Sequence, residues 1–171
     1  ITSSQLEGAA TTRRVARQML REQRKPRNRS ERMILNNYRG LRFIAERTRE
    51  TDLTPELVHE LHAILTEGTL DDPSAAGRLR RDDEQIVVQD ENGLLLHTPP
   101  PSAELPGRLQ ALCDFANSRA VSPFIHPVVR SVLLHFWLAY DHPFTDGNGR
   151  TARALFYWSM ARHGYWLMEY V

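Results

Sequence analysis

HPFTDGNGRTAR, residues 142–153, sets an imidazole, a carboxylate, an amide, two glycines and two guanidiniums side by side. Pro143, Gly147 and Gly149 each disfavour a helix interior, and Asp146, Arg150 and Arg153 do not choose apolar surroundings. The stretch therefore reads as a reactive loop running into a helix start. That helix is expected from near Asn148, carrying Ala154, Leu155, Trp158 and Met160. On the other side, Val128 to Tyr140 is apolar on nearly every face, which predicts a central buried helix.

Helical signals continue further out. Ser30 with Glu31 opens a run in which Ile34, Tyr38, Leu41 and Ala45 recur at helical spacing. Thr54-Pro55-Glu56 combines a cap, a first-turn proline and a dipole-compatible acid ahead of Leu57, Leu61 and Leu65. Pro101-Ser102 leads into a helix through Leu109, Leu112 and Phe115. The exception is QIVVQDENGLLLHT, 85–98, where two β-prone runs flank Asn92-Gly93, a hairpin-turn signal. Pro99-Pro100-Pro101 ends it. The fold class that follows is all-α, a helical bundle with one β-hairpin.

Bulk properties restrict the function. At 171 residues the chain suits one domain with a sizeable core. Hydrophobic residues at 41% and a formal charge of +1 describe a globular protein without a cationic surface overall. Arg13 to Arg32 is locally basic, and nucleic acid or an acidic partner is one use for it. The plainer reading is the solvated face of a helix carrying Val15, Met19 and Leu20, followed by a polar loop at Pro26 and Asn28, so nucleic-acid binding by this domain is not expected. Cys113 is the only cysteine, which rules out an internal disulfide and suits a core position. No apolar run spans a bilayer and no signal peptide is visible, so no membrane partner is expected and the cytoplasm is the default compartment. A start at Ile1 and an apolar end, WLMEYV, suggest part of a longer chain.

The motif then has a chemical reading. Gly147 and Gly149 let backbone N–H groups converge at a helix N-terminus, an anion nest reinforced by the helix dipole. Arg150 and Arg153, three apart, suit a polyphosphate. Asp146 is a misplaced charge there unless Mg²⁺ lies between it and phosphate. His142 can take a proton from an incoming nucleophile near neutral pH. Nucleotide, metal and base together point to phosphoryl or nucleotidyl transfer. A merely well-capped turn would explain Gly-Asn-Gly alone, but leaves the other groups without a purpose.

HPFTDGNGRTAR resembles the signature of the Fic family, His-Pro-Phe-x-Asp/Glu-Gly-Asn-Gly-Arg-x-x-Arg, at every defined position. Further likenesses are His135, Ile125-His126-Pro127, Leu61-His62, Gly77-x-x-Arg80 and the hairpin before Pro99. The resemblance implies a Fic-type helical bundle that transfers AMP from ATP to a hydroxyl side chain of a target protein. His142 would be the general base and Asp146 the Mg²⁺ ligand. The Gly147–Gly149 backbone and Asn148 would form the anion hole, with Arg150 and Arg153 neutralising the β- and γ-phosphates. Phe144 would anchor the loop. Hairpin 85–98 would be a flap that aligns the target segment, and the chain itself would be a second acceptor of AMP.

SSQLEG, Ser3 to Gly8, resembles the family's inhibitory pattern, Ser/Thr-x-x-x-Glu-Gly/Asn. It implies that Glu7 pairs with Arg153 and blocks productive ATP binding, with Ser3 at the hydroxyl position. The expected division is 1–24, the inhibitory region and the helix after it, and 25–171, the catalytic core. Alternatives remain open. They are AMP removal with Glu7 orienting water, transfer of other nucleotides or of phosphocholine, and phosphate transfer as in the Doc branch, which carries Lys where this chain has Gly149. A metal-dependent hydrolase using His59 with His62, or His135 with His142, lacks an obvious third acidic ligand. A binding module using segment 13–32 leaves the intact motif unexplained.

Overall fold

The computed structural model describes residues 13–48, 51–117 and 124–165. Their helices are α1 Arg13–Glu22, α2 Arg29–Arg47, α3 Pro55–Thr66, α4 Leu105–Asn117, α5 Pro127–Asp141 and α6 Asn148–Arg162. Strands β1 Val88–Gln89 and β2 Leu95–His97 pair antiparallel between α3 and α4. The all-α bundle with one hairpin is thus the architecture found. Helices α5 and α6 form the most extensive pair, α2 packs on α3 and α6, and α4 lies against α5.

Apolar positions at helical spacing supply the shared core. Leu57, Leu61 and Leu65 of α3 meet Leu109 and Leu112 of α4, Leu134 and Leu138 of α5, and Leu155 and Trp158 of α6. Each fully buried side chain of this kind contributes about 1.5–3 kcal/mol relative to exposure. Cys113 belongs to this core, and burial pushes its thiol up to about 12. Helix α3 starts as its sequence predicts: Thr54 Oγ1 accepts from Leu57 N (3.2 Å) and Pro55 occupies the first turn.

Three expectations need correction. Helix α2 is capped by Asn28, whose side chain accepts from Glu31 N (2.9 Å), rather than opened by Ser30. Its inner face holds Met33, Ile34, Gly40, Phe43 and Ile44, while Tyr38 and Ala45 face solvent. Two apolar rows at helical spacing run around this helix, and contact with α3, α6 and α1 selects between them. Helix α5 is not buried on all sides. Arg130, Ser131, Leu134, Leu138 and Asp141 point inward, whereas Val129, Val132, Leu133, Phe136 and Tyr140 are exposed. Neighbours α4 and α6 cover one face of it only.

The hairpin is shorter than 85–98 and is closed differently. Val88 is opposite His97 and Gln89 opposite Leu95, with an irregularity between. The turn is organised by Asp90, whose Oδ1 accepts from Asn92 N (2.9 Å) and Leu94 N (2.8 Å). Gly93 follows in the left-handed region, φ +81°, where a side chain would be strained. A two-residue Asn-Gly turn is therefore replaced by an Asp90-centred loop.

The basic segment follows the plainer reading. Ala16 and Met19 of α1 pack on Ile34 of α2, and Arg14, Arg17 and Arg21 face solvent. Arg24 grips Glu31 through two bonds of 2.7 and 2.8 Å, which hold that carboxyl at about 2. No described helix is long and apolar enough to cross a membrane.

Candidate active site

Helix α5 stops at Asp141 and α6 starts at Asn148, so the loop 142–147 joins the ends of the most extensive helix pair. His142 caps α5 in the left-handed region (φ 45°, ψ 56°), and its N–H donates to Leu138 O. A non-glycine residue there is strained, a cost that clusters at functional sites. Its Nδ1 lies 3.1 Å from Ala139 O. Only an Nδ1–H can bond a carbonyl, so Nε2 carries the lone pair and is the acceptor nitrogen. Burial lowers the His142 pKa below the ordinary imidazole value, and the Arg80 guanidinium adds to the lowering. The imidazole is neutral at pH 7, the form a general base requires.

Gly147 is the N-cap of α6 at φ +81°. A Cβ there would lie 2.6 Å from Thr66 Cγ2 and 3.1 Å from His62 Nε2. Glycine is thus imposed twice, by torsion and by space. The first N–H groups of α6 have no intrahelical acceptor, and of the three expected to meet an anion that of Gly147 is taken by Asp146 Oδ1.

The charged residues are placed more tightly than the sequence suggested. Asp146 Oδ1 accepts from Gly147 N (2.5 Å), and Oδ2 accepts from Arg150 Nη2 (3.0 Å) with Arg29 Nη2 at 4.0 Å. Its side chain is still 46% exposed, open to a ligand. Arg150 is buried. Its Nη1 also donates to Thr69 Oγ1 (2.8 Å) and Leu65 O (3.2 Å), and its Nε is buried without a partner. Arg150 therefore braces α3 as well as facing the loop. Arg153 is half-buried and near enough to His135 to lower that imidazole's pKa, after burial itself. Asn148 departs from its expected role: its Oδ1 accepts from Phe144 N (2.9 Å) and its Nδ2 donates to Phe144 O (2.7 Å). The side chain clips the loop, leaving only the Asn148 backbone for an anion. Ser3 and Glu7 lie outside the described residues.

Two residues gain roles that the sequence only hinted at. His62 is fully buried and stacks on Phe144, with ring centroids 3.8 Å apart at 8°. Its Nδ1 accepts from Gly77 N and its Nε2 donates to Asp146 O, both at 2.9 Å. Burial drives its pKa down to about 4. Both nitrogens are occupied by backbone, so His59 and His62 are not a ligand pair. Arg80, also buried, donates from Nε to His142 O (3.0 Å) and from its backbone N–H to Pro143 O (2.9 Å). Its Nη2 reaches Pro100 O at the exit of the hairpin. The signals were Leu61-His62 and Gly77-x-x-Arg80, where polar residues interrupt apolar or loop sequence. Their partners lie far away in the chain and could not be read.

Comparison with known proteins agrees with this geometry. The Fic/DOC family model matches residues 52–160. A protein adenylyltransferase Fic from Nematostella vectensis is 39% identical over 93 residues, covering 54% of this chain and 20% of that protein. Its namesake from Drosophila melanogaster is 33% identical over 133 residues, covering 77% of this chain and 25% of that one. The chain thus spans a fifth to a quarter of these relatives' length. A crystallised Fic-domain-containing signalling protein from Bacteroides thetaiotaomicron superposes with a TM-score of 0.80 at 26% identity. The superposition covers 95% of this chain and 60% of that one.

Proposed function

This chain belongs to the Fic/DOC family, and from that membership we propose that it is a protein adenylyltransferase, moving AMP from ATP to a hydroxyl side chain of a target protein. The observation that carries the reading is the tautomer of His142. Its Nδ1–H is committed to Ala139 O, so Nε2 carries the lone pair, on a residue of the loop that leads into α6. In this reading Nε2 takes the proton of the target hydroxyl while its oxygen forms a bond to the α-phosphorus. The bond from that phosphorus to the bridging oxygen breaks, and pyrophosphate leaves. The relatives, named as protein adenylyltransferases, support the same reaction.

The backbone N–H groups of Asn148 and Gly149 hold phosphate oxygens, that of Gly147 being taken by Asp146 Oδ1. Arg150 and Arg153 balance the charge of the β- and γ-phosphates. Asp146 fits Mg²⁺: it is a partly exposed carboxylate, and among the described residues no group of three or more His, Cys, Asp or Glu could hold a metal. A cation there would draw its other ligands from phosphate and water, the habit of Mg²⁺. When bound, that ion neutralises phosphate charge. The flap aligns the target segment by strand addition, and self-modification uses the same chemistry on this chain's own hydroxyls. Glu7, by the pattern SSQLEG, pairs with Arg153 and holds the enzyme off. A reducing cytoplasm suits a chain with one buried thiol.

The test is incorporation of AMP from labelled ATP, with Mg²⁺, into lysate proteins or the chain itself. His142→Ala should lose transfer by about 10²–10⁴-fold while retaining ATP binding, since the nest and arginines hold the phosphates. Undiminished labelling would overturn the reading. Glu7→Gly should raise transfer by roughly 5- to 150-fold, and adding Arg153→Ala should cancel the gain. Unchanged incorporation in Glu7→Gly would reject the inhibitory role alone.

A further inference from the structure

Helix α5 presents water with a row of large apolar side chains. Phe136 is 62% exposed, Val132 52%, and Tyr140 44%. With Leu133 they fall at spacings of three and four, so they share one face. Contiguous apolar surface of this kind marks an interaction site. At its centre Leu133, Phe136, Trp137 and Tyr140, together with Phe115 of α4, line a basin of about 290 Å³. Its walls carry no charged side chain.

The basin is joined to the flap. His97 of β2 bonds through Nε2 to Tyr140 O (2.7 Å), and its ring lies 4.4 Å from that of Tyr140. The Tyr140 ring is in turn 6.0 Å from that of Phe136. Leu94, Leu95 and Leu96, on the other side of His97 in the chain, are all more than half exposed. A chain of ring contacts thus links β2 to the basin through His97 and Tyr140, passing two residues from His142. Among the described residues β1 and β2 pair only with each other, so each keeps an edge that an extended segment could join.

We propose that this basin is the docking pocket for one bulky apolar side chain of the target, in an extended segment that also pairs with the flap. The inference rests on the AMP-transfer reading for the nature of the reacting hydroxyl. Six residues of α5 separate Phe136 from His142, about 9 Å at 1.5 Å per residue. An extended chain spans that distance in two or three residues at 3.3–3.4 Å each. The target class is therefore a Ser, Thr or Tyr with Leu, Met or Phe two or three positions away. Continuity with the flap favours a peptide-like segment over a second copy of this chain. The concave basin accepts one side chain, whereas a stable dimer needs roughly 800 Å² from each partner.

The experiment uses fluorescein-labelled synthetic peptides of Gly and Asn with one central Thr. A single Leu is moved through every position on either side of the Thr, and binding is followed by anisotropy without ATP. A Leu two or three residues from the Thr should tighten binding about tenfold over the peptide lacking it, as burial of one side chain allows. Phe136→Glu and Leu133→Glu should each remove that preference, with melting temperatures unchanged because both side chains face solvent. Equal binding by all peptides, binding by none, or a preference that survives both variants overturns the proposal. So does a dimer in sedimentation that Phe136→Glu disperses, since the face would then be a self-association surface. Incubation of the Glu7→Gly variant with labelled ATP and Mg²⁺ separates this inference from the reaction itself. Anchored binding without AMP on the Thr sinks the transfer reading and leaves the pocket, whereas AMP transfer indifferent to Leu position sinks the pocket alone.

Discussion

The loop 142–147 and the hairpin around Asp90 are both short connections, yet they are held in opposite ways. In the loop the backbone is tied down at several points: Asn148 clips Phe144, His62 carries the Asp146 carbonyl, and Arg80 carries those of His142 and Pro143. The hairpin is held by two residue pairs, the Asp90 turn and the His97 contact, with its leucines in water. Chemistry that depends on sub-ångström placement belongs on the first kind of structure. Recognition of an extended segment suits the second, because a strand edge must stay open until the segment arrives. The contrast makes stability and activity respond differently to substitution in the two places.

The largest effect should come from Gly147→Ala. The new Cβ would meet Thr66 Cγ2 at 2.6 Å with φ at +81°, so overpacking and torsional strain add to about 3 kcal/mol. Urea unfolding should show that loss, and AMP transfer should fall with it. A variant as stable and active as the parent would mean that the loop is far softer than its bonding implies. His62→Phe should keep the stack on Phe144 while leaving Gly77 N–H and the Asp146 carbonyl buried without partners. That costs about 2 kcal/mol, read in the same unfolding experiment. An unchanged midpoint would show that neither bond matters.

Acid should act on the loop more gently. Burial lowers the pKa of His142, so its base form persists below pH 6.5, the value of an unperturbed imidazole. The transfer rate should be flat through neutrality and fall on the acid side with a midpoint below 6.5, about tenfold per pH unit beyond it. A midpoint above 6.5 would contradict an imidazole whose burial outweighs its bond to Ala139 O. The smallest effect on stability belongs to the hairpin. Leu95→Ser should change unfolding by less than about 0.5 kcal/mol, because that side chain is 54% exposed. Its effect should appear in KM for a protein target. A large stability loss there would erase the contrast between the two regions.

The sequence made one of these regions far easier to read than the other. Pro143, Gly147 and Gly149 mark a loop, and His142, Asp146 and the arginines mark its chemistry, because their meaning depends on spacing along the chain. Thr54-Pro55 was legible for the same reason, since a cap is a local bond. What failed was any choice made by a distant neighbour. The inward face of α2 was misassigned because Ile34-Tyr38-Leu41 and Met33-Gly40-Phe43 both satisfy helical periodicity, and only packing against α3 and α6 decides. Helix α5 looked buried because its composition records how apolar it is, without recording how much of it its neighbours cover. Asn148 and Arg150 could be named as site residues, but the amide's return to Phe144 and the guanidinium's reach to Leu65 and Thr69 depend on the folded loop. Arg150 and Leu65 are 85 positions apart.

His142 ends its helix at φ 45°, a torsion that costs a side-chain-bearing residue about 1–2 kcal/mol and glycine almost nothing. Selection for thermal stability alone would therefore place glycine or asparagine at that position. At that torsion the imidazole Nδ1–H reaches Ala139 O, which leaves Nε2 as the nitrogen with the lone pair. Any search for stabilising substitutions guided by backbone preference would choose position 142 early, and would trade the imidazole proposed as the base for a better helix end.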